Sequence, residues 1–192
     1  MAAATLLGFD AVTCLRGGRI LFEDLHLKVG VGDALIVCGP NGAGKSSLLR
    51  LAAGLLRPLR GTIDRPAPVA LADEAPALDD RLTLRAALEF WARIDGADAG
   101  AGIDAMGLSP IAHVPVRLLS TGQRKRATLA RVIAGGAALW LFDEPANGLD
   151  GDGLDRLAAA IADHRSAGGA LIAASHQALP VEAADSLTLG SA

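Results

Sequence analysis

The stretch that most constrains this chain is Gly39-Pro-Asn-Gly-Ala-Gly44-Lys45-Ser46-Ser47, because its composition and its flanks point to one local structure. Before it lies ALIVC (34–38), a short apolar run that suits a strand covered on both faces of a parallel sheet. After it, SLLRLAAGLL keeps helical spacing until Arg57-Pro58 stops it. Strand, glycine-rich loop and helix in that order are the context that G-x-x-x-x-G-K-[ST] requires. Glycines let successive N–H groups turn inward around phosphate oxygens, and the helix start adds positive potential. Gly39, Pro40, Asn41, Gly42, Ala43, Gly44 and Ser47 are therefore read as the phosphate cradle. Lys45 is expected to reach the β- and γ-phosphates, and the Ser46 hydroxyl to ligate Mg2+. A glycine turn with an incidental lysine is the bland alternative, and the flanking strand and helix weigh against it.

The rest of the chain repeats the strand–helix alternation. Residues 19–29 (RILFEDLHLKV) alternate apolar and polar like a half-buried strand, and Gly30 and Gly32 mark the turn after it. Residues 76–118 change character: LTLRAALEFWARI reads as a helix, an Ala/Gly-rich connection follows, and Pro110 and Pro115 close the stretch. It reads as a small helical insertion in an α/β core. LSTGQRKRATLARVIAG and LDRLAAAIADHRS then read as helices, ALWLF and ALIAAS as strands. Strands alternating with helices point to a parallel sheet with covered faces.

Two of those strands deliver chemistry. ALWLFDEP ends in two acids at the sheet edge where a nucleotide's metal has to be held. Asp143 fits the magnesium role, and Glu144 fits a base that polarises the attacking water, against a turn with helix-capping acids. His176 emerges from ALIAAS on the same edge and could bond the γ-phosphate or hold the water, although a lone histidine is usually unremarkable. Arg124, Lys125 and Arg126 fall in a first helical turn, where the dipole disfavours cations. Their placement makes sense if an anion sits at that helix end; a solvated basic face is the competing reading.

Composition removes whole classes. Hydrophobic residues are 51% and charged residues 20% of the 192, which excludes disorder. Aromatics at 3% and a net charge of −3 leave neither a base-stacking platform nor a backbone-binding basic excess, so no nucleic acid is expected. The longest apolar stretch, 132–142, stops at Asp143, short of the ~20 residues a span needs. The N-terminal segment lacks a basic region and meets Asp10 early, so it does not read as a signal peptide. Cys14 and Cys38 suit small buried side chains rather than a disulfide or metal framework. These features point to the cytoplasm.

Taken together and in order, the motifs resemble those of the ATP-binding subunits of ABC (ATP-binding cassette) transporters, across roughly residues 6–190. LSTGQ (119–123) is similar to the family's LSGGQ signature, with Thr121 in place of a glycine. FDEP is similar to its Walker B, NGLD ending at Asp150 to its D-loop, and Ser175-His176 to its H-loop. The resemblance implies an α/β P-loop cassette: a mostly parallel core sheet with antiparallel N-terminal strands and a small helical subdomain. The single domain would span 1–192, with its core at about 1–75 and 119–192 and its helical part at about 76–118. It further implies a head-to-tail pair of chains with two ATP molecules at the interface. Each ATP would lie between Gly39–Ser46 of one chain and Ser120, Thr121, Gly122 and Gln123 of the other, near Asp150. Glu144, His176 and Lys45 would be the catalytic groups.

CLRGGRILFEDL, GPNGAGKSSLLRLAAGLLRP, VPVRLLSTGQRKR, LWLFDEP and SHQ resemble more narrowly the ATPase subunits of the cytochrome c maturation system, which are described as haem exporters. That implies an integral-membrane permease as partner and a peripheral place on the cytoplasmic face of the inner membrane. Ala87, Leu88, Phe90, Trp91 and Ile94 include candidates for the groove that meets it, although core packing alone explains most of them. A soluble ABC ATPase of cluster assembly and a regulatory nucleotide-binding module are the competing readings.

Two departures from the family pattern stand out. No glutamine lies between the phosphate loop and the signature, and Glu74 is the candidate to replace the family's metal-touching Gln. The adenine-stacking aromatic is also missing. Arg16 stands in its place, and a guanidinium can stack on a purine, with Phe22 as the fallback and a solvated arginine as the bland alternative.

Overall fold

The computed structural model describes residues 4–73 and 77–190. Two long strands open the chain, β1 (Thr5–Arg16) and β2 (Arg19–Gly30), joined at Gly17-Gly18. They pair antiparallel, and β4 (Arg60–Asp64) adds to the other side of β1, giving a three-stranded sheet in the order β2-β1-β4.

The larger sheet holds β3 (Ala34–Cys38), β5 (Val69–Ala72), β6 (Leu139–Asp143), β7 (Ala170–Ala174) and β8 (Asp185–Thr188). Its order is β5-β6-β7-β3-β8, with parallel neighbours throughout. All five residues of β6 and of β7 are buried, as continuous apolar runs in a parallel sheet should be. Successive side chains face opposite sides of a strand. Leu139 and Leu141 join Leu35, Val37 and Ile172 against α1 (Lys45–Ala52) and β1. Trp140 and Phe142 join Leu171 and Ala173 against the helices on the other face.

Those helices are α2 (Leu84–Asp95), α3 (Ala99–Ala105), α4 (Thr121–Ala134) and α5 (Gly151–Ser166). Thr83 caps α2 by accepting from the Ala86 N–H, and Gly96 ends it in the left-handed conformation. Leu84, Ala87, Leu88 and Ala92 form its buried stripe. Of the predicted groove residues, Ala87 and Leu88 therefore belong to the core, because helical phase turns them inward. Phe90 and Ile94 are exposed, and Trp91 is half-buried.

At the opposite end of the sheet from the loop, His164 of α5 stacks on Trp140 with centroids 3.7 Å apart and rings 4° from parallel. Its Nε2 lies 3.3 Å from the Ala170 carbonyl. Burial pulls His164 below the usual imidazole range, so the folded state stays neutral where the unfolded chain already takes a proton. Protonation then favours unfolding as pH falls from about 6.5 toward the folded value. The wild type is expected to lose Tm between pH 7 and 5, and His164→Gln to flatten that slope. An unchanged slope in the variant contradicts the assignment.

Candidate active site: a phosphate loop facing a carboxylate–histidine pair

The loop from β3 to α1 is backed by the end of the chain. The Leu189 N–H donates to the Cys38 carbonyl at 2.9 Å, and a Cβ at Gly39 (φ 138°) would run into the Leu189 carbonyl oxygen. Gly44 (φ 108°) serves as N-cap of α1 without a side-chain cap, and no acid occupies the first turn. The opening N–H groups of α1 thus lack a capping acid of their own helix, which suits a phosphate. That cavity holds about 240 Å3, and Lys45, Ser46, Ser47, Asp143 and Glu144 border it together with Asn41, Gly42, Gly44 and Leu21.

Lys45 is 7% exposed, and its Nζ donates to the carbonyls of Gly39 at 2.8 Å and Pro40 at 3.2 Å. Among the described residues it makes no ion pair, so a buried ammonium borders the cavity with only neutral partners. The Ser47 hydroxyl bonds the buried Cys14 thiol, whose pKa burial raises.

Across the cavity, β6 ends in Asp143, 5% exposed. Glu144 follows at φ 48°, a left-handed conformation that costs a non-glycine residue ~1 kcal/mol or more. Its N–H donates to the Ala174 carbonyl at 2.9 Å, so the neighbouring strand holds the turn. Its Oε2 lies 2.8 Å from His176 Nδ1, with the carboxylate mostly shielded and the ring half exposed. The Gln177 amide nitrogen sits 3.4 Å from His176 Nε2 and 3.4 Å from Asn147 Oδ1. Gln177 and Asn147 lie inside the SHQ and NGLD stretches that the sequence marks, but the sequence assigns neither a role at the site. Leu21 was also missed, because it stands on a strand of the other sheet.

The donors suit magnesium. Ser46 and Asp143 border one cavity and offer oxygens, which Mg2+ prefers. No group of three or more His, Cys, Asp or Glu among the described residues is arranged to hold a metal unaided. Magnesium typically uses one or two protein oxygens and completes its shell with phosphates and water, so the set fits an ion that arrives with a nucleotide.

The second loop cluster lies outside this cavity. Ser120 caps α4: its Oγ accepts from the Gln123 N–H at 3.2 Å, and Gln123 Oε1 accepts from the Ser120 N–H at 3.0 Å. A Cβ at Gly122 would lie 2.7 Å from the Gly148 carbonyl oxygen, so only glycine lets the two loops approach. Asp150 caps α5 by accepting from the Gly153 N–H at 2.9 Å. None of Ser120–Gln123, Asp150 or Arg16 borders the phosphate-loop cavity.

The basic run finds partners within the chain. Arg124 pairs with Asp80 at 2.8 Å, Arg126 with Asp152 at 3.3 Å and Asp150 at 3.6 Å, and Lys125 donates to the Asp143 carbonyl at 3.1 Å. Long side chains reach these partners sideways, so the cations need no anion at the helix end to explain them.

The model of the ABC transporter family matches residues 22–147. The "Cytochrome c biogenesis ATP-binding export protein CcmA" of Sphingopyxis alaskensis is 57% identical over 188 residues, covering 96% of this chain and 97% of that protein. The protein of the same name from Novosphingobium aromaticivorans is 52% identical over 178 residues, covering 93% and 92%. This chain belongs to the ABC transporter family, with the CcmA proteins. A solved "ATP binding subunit of ABC transporter" shares the fold at a TM-score of 0.86 and 23% identity, covering 96% of this chain and 86% of its own.

As an ABC cassette the chain has two unusual corners. At the β1–β2 tip Arg16 is exposed, and so are Leu15 and Ile20. Phe22 pairs with Cys14 and lies beside the loop, a ring carbon 3.3 Å from where a Cβ at Gly44 would stand. Glu74 lies outside the described residues. Its neighbour Asp73 pairs with Arg50 at 3.7 Å.

Proposed function

We propose that this chain is the ATP-hydrolysing subunit of an exporter in cytochrome c biogenesis, with haem as the cargo. It works as a head-to-tail pair on a separate integral-membrane permease, peripheral to the cytoplasmic face of the inner membrane. The observation that carries the chemistry is the 2.8 Å contact between Glu144 and His176 on the cavity that a buried Lys45 also borders. The relatives named for export in cytochrome c biogenesis support the cargo system.

The loop N–H groups and Lys45 bind and orient the phosphates of ATP. Ser46 and Asp143 would hold Mg2+, which neutralises phosphate charge when bound. Glu144 takes the proton of the attacking water, and His176 holds the carboxylate in place and contacts the γ-phosphate side. Ser120–Gln123 and Asp150 of the second chain close the site, with Arg16 against the adenine. Glu74 is kept as a further metal-touching candidate.

The segment at about 76–118 reads the permease. Phe90 and Ile94 are 50% and 62% exposed, and a cavity of about 190 Å3 lies between Leu82, Phe90, Trp91 and Ala77. Such an exposed apolar patch on a small domain marks a contact surface. No helix among the described residues is long and apolar enough to cross a membrane, and the proposal puts the spans in the permease. Deleting the co-encoded permease is therefore expected to release the chain from membranes on fractionation. A chain that stays in the soluble fraction when the permease is present contradicts the proposal and supports a soluble ABC ATPase.

A further inference from the structure

Arg131 of α4 lies outside the nucleotide cavity, yet it joins three elements. Its Nη2 donates to the Leu71 carbonyl in β5 at 2.5 Å, and its guanidinium carbon stands 5.0 Å from the centroid of Trp91 on α2. Asp95 of α2 and Asp73 after β5 add favourable charge to a guanidinium that burial would otherwise disfavour. Trp91 in turn donates its indole N–H to the Ala77 carbonyl at 2.5 Å, and it lines the apolar cavity with Phe90 and Leu82.

The far side of this cluster reaches the chemistry. Leu71 is in register with Leu141 of β6, two residues before Asp143. Asp73 is also paired with Arg50 of α1, the helix that begins at Lys45. A partly buried cation that bonds a strand carbonyl and an aromatic face holds its partners in one arrangement, since leaving either one unpaired is costly.

We propose that Arg131 and Trp91 form a clasp that couples occupancy of the α2 groove to the nucleotide edge of the sheet. Arg131 is a positioning residue: it fixes the end of β5, while Trp91 fixes the chain at Ala77 and senses what sits in the groove. This rests on the proposed function, because the groove is taken to seat the permease.

The test uses the chain assembled with its permease in lipid nanodiscs, comparing wild type with Arg131→Lys and Trp91→Phe. Lysine keeps the charge without the planar fork, and phenylalanine keeps the ring face without the N–H donor. Each variant is expected to keep the Kd for ATP within about twofold and to lose about tenfold in permease stimulation of hydrolysis. The double variant is expected to lose little beyond the worse single one, because the two side chains act as a unit. Trp91 and Trp140 are this chain's two tryptophans, so a Trp140→Phe chain grown on 5-fluorotryptophan and assembled with unlabelled permease carries a fluorine NMR signal from Trp91 alone. The change in that signal on permease binding is expected to vanish with Arg131→Lys.

Equal stimulation of wild type and both variants overturns the clasp. A fall in ATP affinity matching the fall in rate also overturns it, because that marks damage to the nucleotide site. If Arg131→Lys does not fold, Trp91→Phe decides. A wild type that binds ATP but is never stimulated by the permease overturns the proposed function, and the clasp falls with it.

Discussion

Glu144→Gln is expected to leave ATP bound and to slow its hydrolysis by about 10²–10⁴-fold, the range of a positioned general base. The substitution is nearly isosteric, so the turn held by the Ala174 carbonyl survives and the amide oxygen can still accept from His176. What disappears is the capacity to take a proton from water. Because binding does not use that capacity, Kd for ATP stays near wild type while kcat collapses, the mark of an interaction made only in the transition state. The proposed pair of chains then stays closed around unhydrolysed ATP, and light scattering with ATP and magnesium should show a lasting dimer. Single-turnover hydrolysis measured beside nucleotide retention checks both halves. Turnover that matches wild type removes Glu144 from the role of base.

Lys45→Ala is expected to act earlier, on binding itself. The ammonium is 7% exposed and bonded to two carbonyls of its own loop, with no ion pair among the described residues. Phosphates supply the opposing charge. Losing one member of a buried, hydrogen-bonded charge pair costs about 2–4 kcal/mol, roughly 30- to 1,000-fold in Kd. Without nucleotide the same change relieves one desolvated cation but leaves the Gly39 and Pro40 carbonyls without that donor, so thermal stability of the free chain should change little. The rise in Tm that ATP gives the wild type should disappear. Isothermal titration and paired melts separate the two effects. An unchanged Kd would show that the loop amides alone bind the phosphates.

The pairing at the centre of this site was half legible in the sequence. ALWLF and ALIAAS both read as buried strands, and each ends in a candidate group. Their contact depends on register, which no local pattern states: Asp143 pairs with Ala174, and that alignment brings residue 144 beside residue 176. The phosphate loop was legible because strand, glycines and helix are contiguous. β4 and β8 carried almost no signal, since Arg60–Asp64 and Asp185–Thr188 are short and mostly exposed. They form by joining sheets built from other strands. The partners of the basic run at 124–126 are illegible in the sequence for a related reason. Its partners Asp80 and Asp152 lie 44 and 26 residues away from the arginines they hold, and only the tertiary fold brings them close. On α2 the apolar residues were found but their facing was not, because a helix rich in apolar residues needs its neighbours to show which stripe is buried.

The most direct test of the central claim is the rate of magnesium-dependent ATP hydrolysis by the chain assembled with its permease in lipid. The account predicts turnover on the order of 10 s⁻¹, the middle of the usual range for enzymes. That turnover should need magnesium and permease together and be lost in the Glu144→Gln chain. An assembled complex that binds ATP but never hydrolyses it would contradict the account.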